Sequence, residues 1–155
     1  MRLSAVLLTI SLLWFAPIGV LGAAPEAYVP GLGDFMSAIQ MRHAKLWFAG
    51  KALNWRLAAY ELDELKEAFA DVAKYQPEFK GKPIAELIGR ETDEPVASLQ
   101  KAIDAEDLAK FTTAMDQLSG ACNSCHKANG YGFVTIQRPA SPPLTNQRFD
   151  LGHNR

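Results

Sequence analysis

The sequence has few residues of the kinds that build metal clusters or nucleic-acid surfaces. It contains only two cysteines and three histidines among its 155 residues. The 16 basic and 17 acidic side chains nearly cancel, and no block of like charge predicts a nucleic-acid or membrane-surface partner. A zinc site would need two ligands beyond the cysteine pair, and no further cysteine exists to supply them. Repeats, low-complexity tracts and strand-like runs longer than Phe133–Ile136 are also missing, so we predict one mainly helical domain.

The N-terminal segment differs from the rest of the chain. After Arg2 comes a largely apolar run from Ala5 to Gly22, which is interrupted by Pro17 and ends among small residues. This pattern is typical of a secretory signal peptide, which we assign to residues 1–22. The alternative is an uncleaved membrane anchor, because about 18 apolar residues approach the length of a membrane span. The proline and the small residues favour cleavage, so we expect a periplasmic or otherwise exported protein without a membrane span.

Helical periodicity begins at Asp34 and continues to Gly50. At about 100° per residue, one apolar face of this segment contains Phe35, Met36, Ile39, His43, Leu46 and Trp47, whereas Met41 and Phe48 point away from it. Asn54 is suited to cap a second helix. In that helix, apolar residues recur at steps of three and four up to Val72, and Glu61 with four other acidic residues lies outside the stripe.

Two further helices complete the predicted fold. We expect a single helical turn around Ile84–Ile88, then a separate short helix that Thr92 caps and that has Pro95 in its first turn. Asp104 and Asp107 are suited to open the last helix, and Asn129-Gly130 to end it. Short links between amphipathic helices predict an all-α, antiparallel four-helix bundle over residues 23–130, followed by a C-terminal tail over 131–155.

The last helix carries the motif with the clearest chemistry, Cys122-Asn123-Ser124-Cys125-His126. C-x-x-C-H is the attachment motif for c-type haem. Helical positions three apart share one side, so both thiols can reach the vinyl groups of a porphyrin, and the next residue brings an imidazole to the iron. A disulfide across two intervening residues would stabilise little, and a thioredoxin-like pair usually lies at a helix start in a βαβ setting. We therefore predict one covalent haem c per chain, attached at Cys122 and Cys125 and with its iron bound by His126.

A four-helix bundle with C-x-x-C-H near the end of its last helix resembles the cytochrome c′ family, the class II c-type cytochromes. The resemblance extends from about Leu32 to Lys127 and depends on two segments, 35–39 (FMSAI) and 118–126 (LSGACNSCH). It implies a haem sunk among the four helices. Some family members leave the distal face of the iron open and bind NO or CO. Others ligate it with a methionine near the start of the first helix and carry electrons. Many form homodimers, which the first two helices could also support here.

Met36 is the sixth ligand that we predict. It lies in the first turn of the first helix, on the apolar face, and in an up-down-up-down bundle this turn adjoins the end of the last helix. In the resembling family, the methionine of the ligated members sits at about this place. His43 is the alternative ligand, about 10.5 Å further along the helix. It could instead bond a haem propionate or line a distal pocket with Ile39 and Trp47.

The expected function is electron transfer with redox partner proteins rather than enzymatic catalysis. One alternative is a five-coordinate cytochrome c′ that binds NO or CO, and another is a haem redox enzyme that uses His43 as a distal acid or base. Two features depart from the family pattern. No arginine follows the motif before Arg138, and the tail is long. We expect Phe133 and Ile136 to fold over the haem edge with Arg138 near a propionate; a disordered tail is the alternative.

Overall fold

The computed structural model of the chain describes residues 28–143 and 146–151. The predicted signal peptide, 1–22, lies outside these residues. The described part is helical, as predicted, and its only β pairing is an isolated bridge between Phe79 and Lys82. None of the helices within these ranges is long and apolar enough to cross a membrane. The four helices are α1 (Leu32–Lys51), α2 (Trp55–Tyr75), α3 (Ile84–Asp104) and α4 (Leu108–Ala128).

Local sequence signals set the helix ends. The Asn54 side chain accepts a hydrogen bond from the Leu57 amide at 3.2 Å and caps α2, as predicted. Asp107 does the same for α4, with its carboxylate 3.0 Å from the Lys110 amide. After α4 the backbone of Gly130 has a φ of +85°, which glycine adopts without strain. The last helix therefore begins and ends close to the predicted positions.

The prediction for α3 is wrong, because one continuous helix replaces a single turn and a short helix. Pro95 lies inside it and leaves the Glu91 carbonyl without its helical donor. Thr92 is no cap, since its hydroxyl donates to the Ile88 carbonyl at 2.8 Å. The apolar stripe continues on both sides of the proline, where Ile88 is 7% and Leu99 0% exposed. Burial of this continuous stripe stabilises the helix beyond what local breaking signals predict.

Each helix packs on the next one in the chain, as in a helical bundle. α1 and α4 contact each other over a shorter stretch, close to Gly50. There the ring of Phe111 packs directly on the glycine backbone, in a buried cluster that includes Trp47 and against which the partly buried Trp55 packs. Gly50 was expected only to end the helix; its lack of a side chain is what admits the ring.

Two residues expected on the outside of the bundle are buried. Glu61 is 1% exposed, and its carboxylate lies 3.2 Å from the Arg42 guanidinium and 3.9 Å from the Lys45 ammonium of α1. Phe48 is 8% exposed because Phe149 of the tail packs against it, with ring centroids 5.6 Å apart. Both residues lie outside the apolar faces of their own helices. They are buried by partners that the helical pattern does not reveal, namely the cations of α1 for Glu61 and Phe149 of the tail for Phe48.

Candidate haem-attachment site

The last two turns of α4 present the thiols of Cys122 and Cys125 and the imidazole of His126. Both cysteines are free and partly buried. Asn129 closes the helix behind them, because its side-chain amide donates to the Cys125 carbonyl at 2.8 Å. The two thiols are three residues apart on one helix, so the local geometry is the one that the motif needs.

Two adjoining cavities, of about 270 Å³ and about 320 Å³, lie against these side chains. Together they reach the roughly 300–1,000 Å³ usual for small-molecule and cofactor sites. Cys122 lines the first cavity only, whereas Cys125 and His126 line both. Much of the wall is apolar, which suits a porphyrin face. The six residues common to both cavities are Gly33, Met36, Ile88, Cys125, His126 and Val134.

The thiols are held in their protonated form. Burial raises the pKa of Cys122 to about 11, and the neighbouring Cys125 adds to this rise. Burial also raises the pKa of Cys125, and the charge of Glu91 acts in the same direction. A dithiol that exchanges disulfides needs a depressed thiol pKa, usually at a helix N-terminus. The opposite shift, near a helix C-terminus, disfavours the thioredoxin-like alternative.

The His126 ring is oriented by the tail. Its Nδ1 lies 2.8 Å from the carbonyl oxygen of Val134. A carbonyl only accepts, so Nδ1 carries a proton, and of the two neutral tautomers the contact selects the one with a lone pair on Nε2. This is the arrangement of a metal-binding histidine, in which one ring nitrogen donates to a backbone carbonyl and the other is free for the metal. Val134 escaped the sequence analysis, because its contribution is a backbone atom that no side-chain pattern reveals.

Met36 and His43 occupy different parts of the site. Met36 is partly buried and lines both cavities together with His126. His43 is 4% exposed and lines only the first cavity, as does Ile39. Trp47, the third residue of the possible distal pocket, lines neither cavity. It stacks on Phe111 in the core, 6.4 Å between centroids, because it lies one turn deeper in the bundle than His43.

A short chain of hydrogen bonds fixes the tautomer of His43. Its Nε2 lies 2.9 Å from the Ser119 hydroxyl, which itself donates to the Met115 carbonyl at 2.9 Å. The hydroxyl proton is thereby used, so Ser119 accepts from a protonated Nε2 and Nδ1 keeps a lone pair. Burial lowers the pKa of His43 to about 4, so the ring is neutral at pH 7. The first cavity therefore has a neutral, oriented imidazole in its wall.

The tail meets the site partly as expected. Ile136 lines the first cavity, but Phe133 is 80% exposed and touches Tyr131 instead. Arg138 lines neither cavity; its guanidinium pairs with Asp116 at 2.9 Å and lies 5.0 Å above the Trp47 ring. Neither Phe133 nor Arg138 therefore lines the space beside the motif. The tail turns so that Val134 and Ile136 face the cavity, which directs Phe133 to solvent and carries Arg138 past the site towards α4 and α1.

Lysines that sequence analysis did not select stand at the second cavity. Lys80 and Lys82, from the link between α2 and α3, line it. The Lys80 ammonium also donates to the Tyr131 hydroxyl at 3.1 Å. Only the packing of this link against the tail brings the two cations near the motif, which lies some 40 residues further along the chain.

The site thus combines two protonated thiols, an imidazole with a free Nε2, a thioether sulfur and an adjoining pair of cations around one largely apolar space. Those residue types match the covalent and axial groups that haem c requires. Comparison with known proteins adds nothing to this assignment, since no protein-family model, curated protein or solved structure matches the chain.

Proposed function

We propose that this protein is an exported, single-haem c-type cytochrome of the cytochrome c′ kind, which carries electrons between partner proteins. In this proposal Cys122 and Cys125 hold the haem through thioether bonds, and His126 and Met36 are its axial ligands. One observation carries the proposal: Cys125, His126 and Met36 line both of the two adjoining cavities, and Cys122 lines the first of them. Bound haem would supply a single-electron Fe(III)/Fe(II) couple.

The residues around the site support this role in distinct ways. His126 donates from Nδ1 to Val134, which leaves Nε2 for the iron. Met36 offers a soft thioether, and histidine with methionine is an established axial pair in cytochromes. Met36 projects from the first turns of α1, where the helix is anchored by Asp34 accepting from the Gly31 amide at 3.0 Å. A ligand on a capped helix moves little between oxidation states, which favours electron transfer.

The wall and mouth of the site also fit a porphyrin. Ile39, Ile88 and Ile136 supply apolar surface that would exclude water from its faces. Lys80 and Lys82 line the second cavity and would supply positive charge for the propionate groups of the haem. They would take the role that the sequence suggested for Arg138, which forms an ion pair with Asp116 instead. Redox partners and a homodimer remain predictions from the sequence.

A second candidate is a five-coordinate cytochrome that binds NO or CO. It is favoured by the first cavity, which extends past Met36 to Ile39 and His43. If Met36 only packs against the wall, this space would admit a diatomic ligand beside a neutral imidazole. The two candidates differ in a single bond, that between Met36 and the iron.

Spectra of the purified mature protein, produced in a host that matures c-type cytochromes, separate the candidates. We expect mass spectrometry to find one porphyrin per chain, and oxidised and reduced spectra to report low-spin, six-coordinate iron. A Met36→Ala variant should become high-spin and bind CO. Met41→Ala is the matched control, because Met41 lies on the same helix, is also partly buried and lines neither cavity.

Each negative result has a distinct meaning. A high-spin spectrum of the unmodified protein that changes on adding CO selects the gas-binding candidate. A Met36→Ala spectrum identical to that of the unmodified protein removes Met36 as ligand. A mature polypeptide without porphyrin and with two free thiols removes the whole proposal.

A further inference from the structure

The first residue between the two cysteines is tied to the tail. The side-chain nitrogen of Asn123, Nδ2, donates to the backbone carbonyl of Ile136 at 2.8 Å, and the backbone amide of Ile136 donates to Asn123 Oδ1 at 2.7 Å. The side-chain amide of Asn123 thus pairs with both backbone groups of one residue. Asn123 is partly buried, whereas Ser124, the other residue between the cysteines, is exposed. The motif therefore uses one of its two variable positions to bind the tail.

The same stretch of tail reaches the iron-ligand candidate. Between Asn129 and Ile136 the chain turns back, with the Tyr131 amide donating to the His126 carbonyl at 2.8 Å and the Val134 amide to the Tyr131 carbonyl at 2.8 Å. This turn places the Val134 carbonyl on Nδ1 of His126. Ile136 lies two residues after Val134. The turn therefore holds this stretch before Val134, and the hydrogen bonds to Asn123 hold it after Val134.

A third attachment lies beyond Ile136. Arg138 pairs with Asp116, which lies about two turns before Asn123 on α4, at 2.9 Å. Its guanidinium also lies 5.0 Å above the Trp47 ring of α1. We name residues 133–138 the proximal strap. Three contacts hold this strap to α4: Val134 with His126, Ile136 with Asn123, and Arg138 with Asp116. Of these three contacts, the pair of hydrogen bonds from Asn123 lies nearest to the His126 contact along the strap, and it does not involve the His126 ring.

We propose that Asn123 is a positioning residue, which holds the proximal strap so that the Val134 carbonyl fixes the orientation and proton position of His126. The inference rests on the proposed function, since its consequence is for iron bound at Nε2. A carbonyl that accepts from Nδ1–H increases the electron donation of the ring through Nε2. Stronger donation favours Fe(III) over Fe(II), so the strap lowers the reduction potential.

The size of the effect follows from what such outer partners do at metal sites. Loss of a group that orients a ligating histidine typically changes metal affinity 10- to 100-fold. If the oxidised state loses about tenfold more affinity than the reduced state, the one-electron potential rises by about 59 mV. We expect a rise of about this size when the strap is released.

Three variants in the full chain test this proposal. Asn123→Ala removes both bonds to Ile136. Asn123→Asp keeps an acceptor for the Ile136 amide but loses the donor to its carbonyl, so it should lie between Asn123→Ala and the unmodified protein. Ser124→Ala is the matched control within the same motif. The readouts are the midpoint potential, hydrogen exchange of the Val134 and Ile136 amides, and the ¹⁵N spectrum of the His126 ring.

We expect Asn123→Ala to raise the potential, to expose the Ile136 amide to fast exchange and to weaken the hydrogen bond from His126 Nδ1–H to the Val134 carbonyl, while Ser124→Ala changes none of these. Fast exchange in Asn123→Ala with the potential and the Nδ1–H hydrogen bond unchanged would reduce Asn123 to a structural anchor and overturn the proposal. If the variant does not fold, the graded Asn123→Asp variant decides by the same measurements. If the purified chain carries no haem, the proposed function fails, and the ring tautomer with the exchange rates still decides whether Asn123 positions His126.

Discussion

Replacing Gly50 by alanine tests the tight contact that brings α1 and α4 together. An added Cβ would overlap Cε1 and Cζ of Phe111 and come within 2.8 Å of its Cδ1. The ring cannot move aside easily, because it is 0% exposed and packs between two indoles. Trp47 stacks on it at 6.4 Å and Trp55 meets it edge-on at 5.9 Å. The substitution therefore strains the core at its least adaptable point.

The expected loss of stability combines two opposing effects. Overpacking a dense core costs about 1–3 kcal/mol, and overlap with several ring atoms places this case near about 3 kcal/mol. Alanine is preferred over glycine in a helix by about 0.5–1 kcal/mol. The net fall in the free energy of unfolding should be about 2 kcal/mol. At about 4 °C per kcal/mol for a domain of this size, the Tm should fall by about 8 °C.

Urea and thermal unfolding of the purified protein, followed by circular dichroism, measure this loss. Gly120→Ala is the matched control, since Gly120 is an exposed residue within α4 with no atom within 4 Å of its added Cβ. It should gain about 0.5–1 kcal/mol. Phe111→Leu removes Cε1 and Cζ, the two ring atoms that the added Cβ would overlap, so the double variant should show a favourable coupling of about 1 kcal/mol or more. A Gly50→Ala protein as stable as the original, with no coupling to Phe111→Leu, would refute the assigned contact.

Three further predictions concern buried groups other than the proposed axial ligands. Glu61→Gln should lower the free energy of unfolding by about 1–3 kcal/mol, because it breaks the buried ion pair with Arg42, which keeps Glu64 as a second carboxylate partner. Glu64→Gln, at the more exposed partner, should cost less than about 1 kcal/mol. Equal losses in the two variants would contradict the buried pairing of Glu61. His43 has a pKa of about 4 in the fold, below its unfolded value, so the unfolded state takes up a proton first as the pH falls. Stability is therefore complete above about pH 6.5 and should fall by about 3 kcal/mol by pH 4, whereas His43→Leu should flatten this part of the profile; an unaltered slope in urea titrations would show that the ring titrates normally. Phe149→Ala should cost about 2 kcal/mol, less than a central Phe because the tail can detach, and should speed proteolysis of the tail by uncovering Phe48; a cleavage rate like that of the original protein would argue against this packing.

Helix ends and the motif could be predicted because their causes are local. Asn54 and Asp107 cap the helices that follow them, and Gly130 follows the end of α4. The spacing in C-x-x-C-H brings Cys122 and Cys125 to one side of any helix that contains them. Such features depend on a few neighbouring residues, so a linear sequence is enough to identify them.

Features that depend on distant partners could not be predicted in the same way. A proline such as Pro95 disfavours the interior of a helix, yet α3 continues past it because its apolar stripe is buried on both sides of the proline. Glu61 belongs to the polar face by its position and is buried only because cations of α1 reach it. Exclusion of Trp47 from the cavity likewise depends on where Phe111 packs.

The sequence by itself determined that the protein is helical, that its last helix presents two thiols and an imidazole on one side, and where α2 and α4 begin. Tertiary structure alone decided which atoms surround that group: the Val134 carbonyl on His126, the Asn123 pair with Ile136, and the cavities that bring Met36 to the same space. The physical reason is that capping and helical periodicity act over one or two turns, whereas a binding site is assembled from backbone and side-chain groups that only packing brings together.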